Sequence, residues 1–229
     1  MDIFSQALLD FYSGNTRNKL WLNTSYGEKE EMPLEVFFRN KDEMPPLELL
    51  ALELCKGKTL DIGAGAGSHA LILQNLHFDV TALDQSEGAC TIMQKRGLKN
   101  VINNDIYNYN SEKYDTLLLL MNGIGLCGTI SGFRSFLLHA KNLLKPGGQL
   151  LFDTSDISYL YEGTDFPQHT YYGEIAYQYE YKKQQGNWFN WIYIDSEMLT
   201  VTAKEEGWNT EMLFNDGEDQ FLVRLSESK

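Results

Sequence analysis

A glycine-rich segment after a short apolar run restricts the choice of fold more than any other part of the sequence. It reads Leu60-Asp61-Ile62-Gly63-Ala64-Gly65-Ala66-Gly67. Glycine at alternate positions lets the backbone turn sharply and approach a ligand without obstruction by Cβ atoms. A helix that begins directly after such a turn directs free N–H groups toward that ligand. The segment therefore predicts a strand–turn–helix unit of an α/β protein, with a ligand at the turn.

Strand and helix patterns alternate between residues 58 and 153. Short apolar runs predict five strands, at residues 59–62, 80–83, 101–102, 114–120 and 149–153. The intervening segments carry helical spacing, with Ser86 as the expected N-cap of one helix and Lys145-Pro146-Gly147-Gly148 as the turn that ends another. Five strands with helices between them predict a parallel sheet that is covered on both faces.

The remaining segments are expected to surround this core within a single domain. Residues 1–57 are predicted to form a helical N-terminal cap and residues 58–153 the core. Residues 154–194 are predicted to be an inserted aromatic β-hairpin, because side chains alternate along residues 173–182 and a partner strand follows a turn. Residues 195–229 are expected to supply a closing helix and an antiparallel strand pair. No repeat or linker interrupts the sequence.

Two acidic residues follow the second and third predicted strands. Asp84 ends the second strand, 21 residues after Gly63, and Asp105 is expected to end the third. Ligands of open α/β sheets bind beyond the carboxyl ends of the strands, where a carboxylate accepts both hydroxyls of a ribose. Asp84 is therefore predicted to bind a ribose, and Asp105 to lie within reach of an adenine amino group.

A dinucleotide site is the competing interpretation of the glycine turn. A nicotinamide fingerprint requires glycine at the sixth place of G-x-G-x-x-G, and Ser68 occupies that place. Such sites also tend to have an apolar residue two places before the first glycine, where this chain has Asp61. A carboxylate at that place suits a ligand that carries an ammonium group better than a pyrophosphate. Both observations favour S-adenosylmethionine (SAM).

These residues together resemble the class I SAM-dependent methyltransferases. The segment 61–67 resembles motif I of that family, D/E-x-G-x-G-x-G. Asp84 resembles the family's acidic ribose ligand, and Asp105 its adenine-edge acid. Residues 143–148 resemble the turn before the fifth strand, and the closing strand pair resembles the reversed end of the family sheet. The resemblance covers residues 47–153 and 195–225.

The resemblance implies a fold, a cofactor and a set of contact residues. The implied fold is a Rossmann-like α/β domain with a seven-stranded, mostly parallel sheet, an antiparallel last strand, and helices on both faces. The implied cofactor is SAM, and the implied activity is methyl transfer. The implied cofactor-binding residues are Arg39, Asp61, Gly63, Ala64, Gly65, Gly67, Asp84, Gln85, Asp105, Ile106 and Asn122.

The catalytic residue is not readable from the sequence. In the family, the end of the fourth strand lines the reaction centre, and here it reads Met121-Asn122-Gly123-Ile124-Gly125. This differs from the Asn/Asp-Pro-Pro-Tyr of enzymes that methylate the amino groups of bases or glutamine. Asn122 either orients the acceptor, contacts the cofactor or caps the next helix. His169 is the other candidate for a general base. No metal is expected, because the four histidines are scattered.

The charge balance bears on the partner. The formal net charge is −13, which repels a phosphate backbone, so nucleic acid is not an expected substrate. We expect a small-molecule acceptor that is methylated at nitrogen or oxygen. The alternative is a SAM-binding regulator or partner subunit without turnover.

The sequence shows no membrane-spanning run and no secretion signal, and its three scattered cysteines indicate a reduced, cytoplasmic protein.

Two further features have alternative interpretations. The insert holds eight of the thirteen tyrosines around a predicted turn at Gln184-Gln185-Gly186. Its aromatic face either covers the active site, where it would attract a cation, or packs on the sheet or on a second copy in a homodimer. Arg39 either pairs with the SAM carboxylate or forms an ion pair at the surface.

Overall fold

The computed structural model describes residues 2–228 and shows two compact units. The first unit comprises the residues up to Met44, Leu60–Tyr109 and Ala176–Phe189. The second comprises Pro45–Thr59, Asn110–Ile175 and the residues from Asn190 onward. The described residues form six α-helices, which are α1 Ile3–Tyr12, α2 Pro46–Leu54, α3 Ser68–Asn75, α4 Glu87–Lys95, α5 Ile130–Leu143 and α6 Ser196–Glu205.

Eleven strands form two sheets. They are β1 Leu20–Thr24, β2 Glu30–Met32, β3 Thr59–Ile62, β4 Val80–Asp84, β5 Val101–Asn103, β6 Tyr114–Leu119, β7 Leu144–Ser155, β8 Glu174–Tyr181, β9 Gln184–Ile192, β10 Trp208–Asn215 and β11 Gln220–Glu227. One sheet has seven strands in the order β10-β11-β7-β6-β3-β4-β5, and the other has four in the order β2-β1-β8-β9.

The seven-stranded sheet confirms the predicted fold class. Strand β6 runs parallel to β7, and β4 runs parallel to β5. The last strand, β11, pairs antiparallel with β7 from Gln220↔Ser155 to Leu225↔Leu150. Residues 117–119 of β6 are fully buried, as expected for a strand covered on both faces. The sheet is therefore mostly parallel with a reversed last strand.

Local signals place the helices that flank the sheet. Ser86 caps α4 as predicted, because its hydroxyl accepts a hydrogen bond from the Ala89 N–H. Asp195 caps α6 by accepting from the N–H groups of Glu197 and Met198. The apolar stripe of α5 is buried, at Phe133, Phe136, Leu137, Ala140 and Leu143. The helical periodicity and the capping residues thus predict these three helices correctly.

The prediction of an entirely helical segment 1–57 is wrong. Helices α1 and α2 are present, but β1 and β2 lie between them and pair with each other. Strand β1 also pairs antiparallel with β8, from Leu20↔Tyr181 to Thr24↔Tyr177. Leu20 and Leu22 are buried by this pairing, so the strand is stabilised by a partner more than 150 residues away. A local pattern carries little information about such a pairing.

The inserted hairpin is present, but its turn lies earlier than predicted. Strands β8 and β9 are joined at Lys182 and Lys183, both in the left-handed region with φ of 50° and 65°. Positive φ at both central positions is typical of a type I′ turn, whose twist matches that of the strands. Gly186 therefore lies inside β9. The predicted turn was wrong because glycine usually occupies such positions, and here lysines do.

The aromatic face of β8 is covered within the same chain. The Tyr179 ring stacks on Phe4 of α1 with 5.3 Å between ring centroids, and the Tyr181 hydroxyl donates a hydrogen bond to Asp10 at 3.0 Å. Tyr177 and Tyr181 are buried. Helix α1 therefore covers part of the aromatic face of β8.

Two strand limits also differ from the prediction. Strand β7 begins at Leu144, so the segment 145–148 is an irregular start of that strand. Strand β5 ends at Asn103, and Asp105 caps the following short 3₁₀ helix Ile106–Asn108 by accepting from the Tyr107 N–H. All three cysteines are buried, and none forms a disulfide. No helix in the described part of the chain has the length and hydropathy of a membrane span.

Candidate functional site

The glycine turn between β3 and α3 is fixed by hydrogen bonds to β4. The N–H groups of Gly63 and Ala64 both donate to the Leu83 carbonyl, at 2.9 and 3.2 Å. The Gly67 N–H donates to the Ala64 carbonyl at 2.8 Å and closes the turn. The loop backbone is thereby held against the end of the neighbouring strand before any ligand is considered.

The three glycines of the turn serve different purposes. Each has a positive φ, of 71° at Gly63, 56° at Gly65 and 82° at Gly67, which any other residue adopts only with strain. A Cβ atom on Gly63 would meet nothing within 4 Å, so this position faces open space. A Cβ atom on Gly67 would lie 2.8 Å from Cγ of Met93, so this glycine permits the contact with α4. Only Gly63 leaves its side of the turn open.

The carboxylate of Asp84 holds the glycine turn and the start of α4 together. Its Oδ2 accepts from the Gly65 N–H at 2.8 Å, and its Oδ1 accepts from the Ser86 N–H at 2.8 Å. Burial raises the pKa of this carboxyl to about 6, against the lowering effect of those two bonds. Each oxygen retains one further lone pair, because a carboxylate has about four acceptor positions.

Asp61 lies beneath the turn at the start of α3. It is buried on β3, and it accepts a backbone hydrogen bond from Ala70. Burial raises the pKa of the Asp61 carboxyl to about 6, while nearby His69 lowers it. Its Oδ2 is buried and has no hydrogen-bond partner among the described residues. A buried, unpaired carboxylate oxygen is costly, so it favours a cationic or donor group nearby.

Three further predicted contact residues, Gln85, Asp105 and Ile106, follow β4 or β5 in the sequence. Ile106 is buried, whereas Gln85 and Asp105 are exposed. The Gln85 carbonyl accepts from the Asn103 side chain at 2.9 Å, and the Asp105 carboxylate accepts from the Tyr107 N–H at 2.9 Å. The Asp105 side chain thus uses one acceptor position for the capping bond, and its other acceptor positions stay accessible.

The N-terminal segment contacts the glycine turn through a residue that the sequence did not single out. A Cβ atom on Gly65 would lie 3.3 Å from Cδ1 of Phe37, so that ring lies against the turn. The Phe37 carbonyl accepts from the Ser68 hydroxyl at 2.7 Å. Arg39 lies two residues further along, and its Nε donates to the Val36 carbonyl at 3.1 Å. The structure therefore brings Arg39 to the segment next to the turn.

Asn122 lies in the second unit, at the end of β6. Its backbone is left-handed, with φ of 53°, and Met121 before it has φ of 62°. The Asn122 N–H donates to Oδ2 of Asp153 at 2.9 Å, and its side-chain oxygen accepts from the Ser155 hydroxyl at 3.1 Å. Asn122 occupies the N-cap position of the 3₁₀ helix Gly123–Cys127, but its side chain makes no capping bond there. The side-chain amide is held by the end of β7 instead.

Asp153 is a buried residue of this region that the sequence analysis did not identify. Its Oδ2 also accepts from the Gln220 side chain at 2.9 Å, while Oδ1 has no partner among the described residues. Burial raises the pKa of the Asp153 carboxyl to about 6, and the nearby Glu48 carboxylate contributes to the increase. No short-range pattern marks it, because its partners come from β6, α2 and β11.

The 3₁₀ helix after Asn122 is packed against the inserted hairpin. A Cβ atom on Gly125 would lie 1.9 Å from Nε1 of Trp191, and one on Gly128 would lie 3.2 Å from Cβ of Asn190. His169, the other candidate base, lies in the exposed segment before β8. Residues 2–228 contain no cluster of three or more metal-ligating side chains. The hairpin therefore shapes the segment that follows β6.

Comparison with known proteins identifies the family. Residues 60–152 match the family model described as a methyltransferase domain. A SAM-dependent methyltransferase from Bacteroides fragilis, solved with S-adenosylhomocysteine, is 34% identical, and the match covers 100% of this chain and 95% of that one with a TM-score of 0.92. None of the curated proteins matches the sequence. The chain belongs to the class I SAM-dependent methyltransferases, and its cofactor is SAM.

More distant structures share the fold. A SAM-dependent methyltransferase from Clostridium acetobutylicum is 15% identical, with 80% of this chain and 88% of that chain covered and a TM-score of 0.59. The sugar N-methyltransferase KedS8 from a Streptoalloteichus species is also 15% identical, with coverage of 90% and 97% and a TM-score of 0.59. These similarities confirm the Rossmann-like fold.

Proposed function

We propose that this methyltransferase transfers the methyl group of SAM to a nitrogen or oxygen atom of a small molecule. The cofactor is proposed to lie beyond the carboxyl ends of β3, β4 and β5, with its ribose on Asp84. The observation that carries this assignment is the carboxylate of Asp84, which is tied to the glycine turn at 2.8 Å and keeps unused acceptor positions. The remaining proposed cofactor contacts are Arg39, Asp61, Gly63, Ala64, Gly65, Gly67, Gln85, Asp105, Ile106 and Asn122.

The residues of the first unit suit SAM. The open side of Gly63 admits close approach by a ligand, since no atom lies where a Cβ would be. The unpaired oxygen of Asp61 provides negative charge near the turn, which suits a ligand with an ammonium group and a sulfonium. The exposed carboxylate of Asp105 suits an amino group at the same edge of the sheet.

The chemistry requires little from the protein beyond alignment. Bound SAM supplies an electrophilic methyl group, and the chain has to orient the acceptor and exclude water. The roles of Asn122 and His169 toward the acceptor stay predictions. The amide of Asn122 is held in one orientation by the Ser155 hydroxyl, which suits a residue that positions a partner.

The charge of the chain supports a small acceptor. A net charge of −13 opposes binding to a nucleic acid and favours a neutral or cationic molecule. Three buried cysteines that form no disulfide are consistent with action in the reducing cytoplasm.

The test has two steps. Calorimetric titration with SAM, S-adenosylhomocysteine and NADH should show binding of the first two and none of NADH. Incubation with methyl-labelled SAM and a fractionated metabolite extract should then place label in a low-molecular-weight compound, whose fragmentation spectrum assigns nitrogen or oxygen. SAM binding without label in any acceptor would instead support the regulator or partner-subunit alternative. Binding of NADH in preference to SAM would contradict the proposal.

A further inference from the structure

Arg96, at the C-terminus of α4, donates hydrogen bonds to the glycine turn and to the first residue of α3. Its Nη1 donates to the Ala66 carbonyl at 2.6 Å and to the Ser68 hydroxyl oxygen at 3.2 Å. Ala66 is 1% exposed and Ser68 is 6% exposed, so both bonds are shielded from water. A charged donor to a buried carbonyl forms a stronger bond than a neutral one. Arg96 therefore fixes the last part of the turn and the first residue of α3 together.

The same contacts extend to the N-terminal segment. The Ser68 hydroxyl, which accepts from Arg96, donates to the Phe37 carbonyl at 2.7 Å. The Arg96 guanidinium also lies over the ring of Phe38, with Cζ 5.3 Å from the ring centroid. A cation at that distance from an aromatic face is attracted to it. One guanidinium thus contacts the turn, α3 and the residues beside Phe37.

Phe37 is the member of this series of contacts that lies against the glycine turn. Its Cδ1 lies 3.3 Å from the position of a Cβ on Gly65, and its ring packs edge-on against Phe4 with 5.2 Å between centroids. The Gly65 N–H is the group that bonds to Asp84. Phe37 and Ala66 therefore both lie next to Gly65, the residue that bonds to the proposed ribose ligand.

We propose that Arg96 is a positioning residue for SAM: by bonding to Ala66 and Ser68 it locks the glycine turn and holds Phe37 against Gly65. The inference rests on the proposed cofactor site at this turn. Burial lowers the pKa of the Arg96 guanidinium, but arginine stays protonated at neutral pH. Its charged hydrogen bonds are therefore kept at neutral pH. Lysine supplies the charge and one donor at a time, without the planar fork.

The test measures SAM and S-adenosylhomocysteine affinity by calorimetry. Arg96→Met should weaken both ligands by about tenfold or more, since it removes the charged donor. Arg96→Lys should recover most of that loss. Lys95→Met is the matched control, because Lys95 is the exposed neighbour on the same helix, and it should bind as the wild type does. Ser68→Ala should weaken binding, and the double variant Arg96→Met/Ser68→Ala should be no weaker than Arg96→Met alone.

The outcomes separate this inference from the proposed function. Wild-type protein that binds SAM, together with a folded Arg96→Met that binds equally well, would overturn the role of Arg96 alone. Fully additive losses in the double variant would overturn it as well, because the two residues would then act independently. Wild-type protein that does not bind SAM would overturn the proposed function itself. If Arg96→Met does not fold, Ser68→Ala decides the matter, and wild-type affinity in Ser68→Ala would contradict the inference.

Discussion

Asp84, at the end of β4, forms hydrogen bonds with both the glycine turn and the start of α4. Its two oxygens bond to the Gly65 and Ser86 N–H groups, so its charge is already directed toward the glycine turn. A ribose would then use acceptor positions that are oriented in advance, which lowers the cost of binding. The residue is a structural part of the turn as well as the proposed ligand contact.

Replacement of Asp84 by alanine should weaken SAM binding by roughly 1–3 kcal/mol, because the lost acceptors leave ribose hydroxyls and the Gly65 N–H unpaired. Asp84→Asn should also bind weakly, since its amide group presents a donor where one of the two N–H groups now finds an oxygen. Calorimetry measures both. Asp79→Ala, at the exposed residue before β4, is the control and should match the wild type. Wild-type affinity in Asp84→Ala would contradict the assignment.

The residues that the sequence identified have signals close to them along the chain. The glycines, Asp61 and Asp84 belong to a strand–turn–helix pattern in which spacing determines position. Arg96 and Asp153 have no such pattern, because their partners come from segments about 30 residues or more away. Physical reasoning on a sequence finds a residue whose role follows from its own element, and it misses one whose role depends on a distant partner.

Helix α1 approaches α4 closely at Ser5. Ser5 is fully buried, its hydroxyl lies 2.6 Å from the Ser86 hydroxyl, and it accepts from the Gly88 N–H at 3.1 Å. A Cβ atom on Gly88 would lie 2.5 Å from Cβ of Ser5. The absence of a side chain at Gly88 is therefore what allows α1 to reach the start of α4.

Gly88→Ala should destabilise the protein by about 1–3 kcal/mol, since the added methyl group overpacks this contact. In a helix without the contact, the same change would stabilise by up to about 1 kcal/mol. Urea denaturation gives the free energy of unfolding, and hydrogen exchange should show faster exchange at the amides of α1. Gly27→Ala, where a Cβ would meet nothing within 4 Å, is the control. An increase in stability in Gly88→Ala would show that α1 does not pack there.

The turn at Lys182 and Lys183 offers a second prediction for an element. Lys183 has φ of 65°, which costs an ordinary residue about 1–2 kcal/mol, whereas glycine adopts it freely. Lys183→Gly should therefore stabilise the hairpin by a net amount of roughly 0.5–1 kcal/mol after the entropic cost of glycine. Urea denaturation measures the gain. Lys183→Ala should give none, and equal stability of the two variants would exclude this explanation.

Elements with a strong local pattern were predictable, and those made by pairing were not. The five parallel strands and helices α4 to α6 follow from apolar runs, amphipathic spacing and caps. Strand β2 has three residues with little burial, and β1 has five, so neither shows a long alternation. Both exist because β8 provides hydrogen-bond partners for β1, and that partner is not visible in the local sequence.

At the scale of the whole molecule, the buried carboxyls of Asp61, Asp84 and Asp153 make stability depend on pH. Burial raises the pKa of Asp61, Asp84 and Asp153 from 3.8 to about 6 each. A carboxyl whose pKa is higher in the folded state binds a proton more tightly there than in the unfolded chain. Its contribution to stability is therefore complete below the unfolded value of 3.8 and is lost as the pH rises through about 6.

The ligand-free protein should accordingly have a higher free energy of unfolding at about pH 5 than at about pH 7.5. SAM affinity should change in the opposite direction, because protonation of Asp61 and Asp84 removes charge and acceptors. Asp10 and Asp115, whose pKa values are lowered by lysine partners, oppose the trend in stability only near and below 3.8. Urea denaturation and calorimetry at both pH values measure the two trends. Asp153→Asn should reduce the difference in the free energy of unfolding between the two pH values, and it should leave the difference in SAM affinity unchanged. If stability and affinity changed with pH in the same direction, this explanation would be contradicted.

The contact between Gly125 and Trp191 limits how this enzyme can be redesigned. Because a methyl group at residue 125 would overlap the indole, the loop after β6 and the hairpin strand form a matched pair. A chimera that receives the 154–194 segment of another methyltransferase, while it keeps its own loop, would inherit either a clash or an empty space. Exchange of the hairpin between relatives therefore requires both segments to be transplanted together.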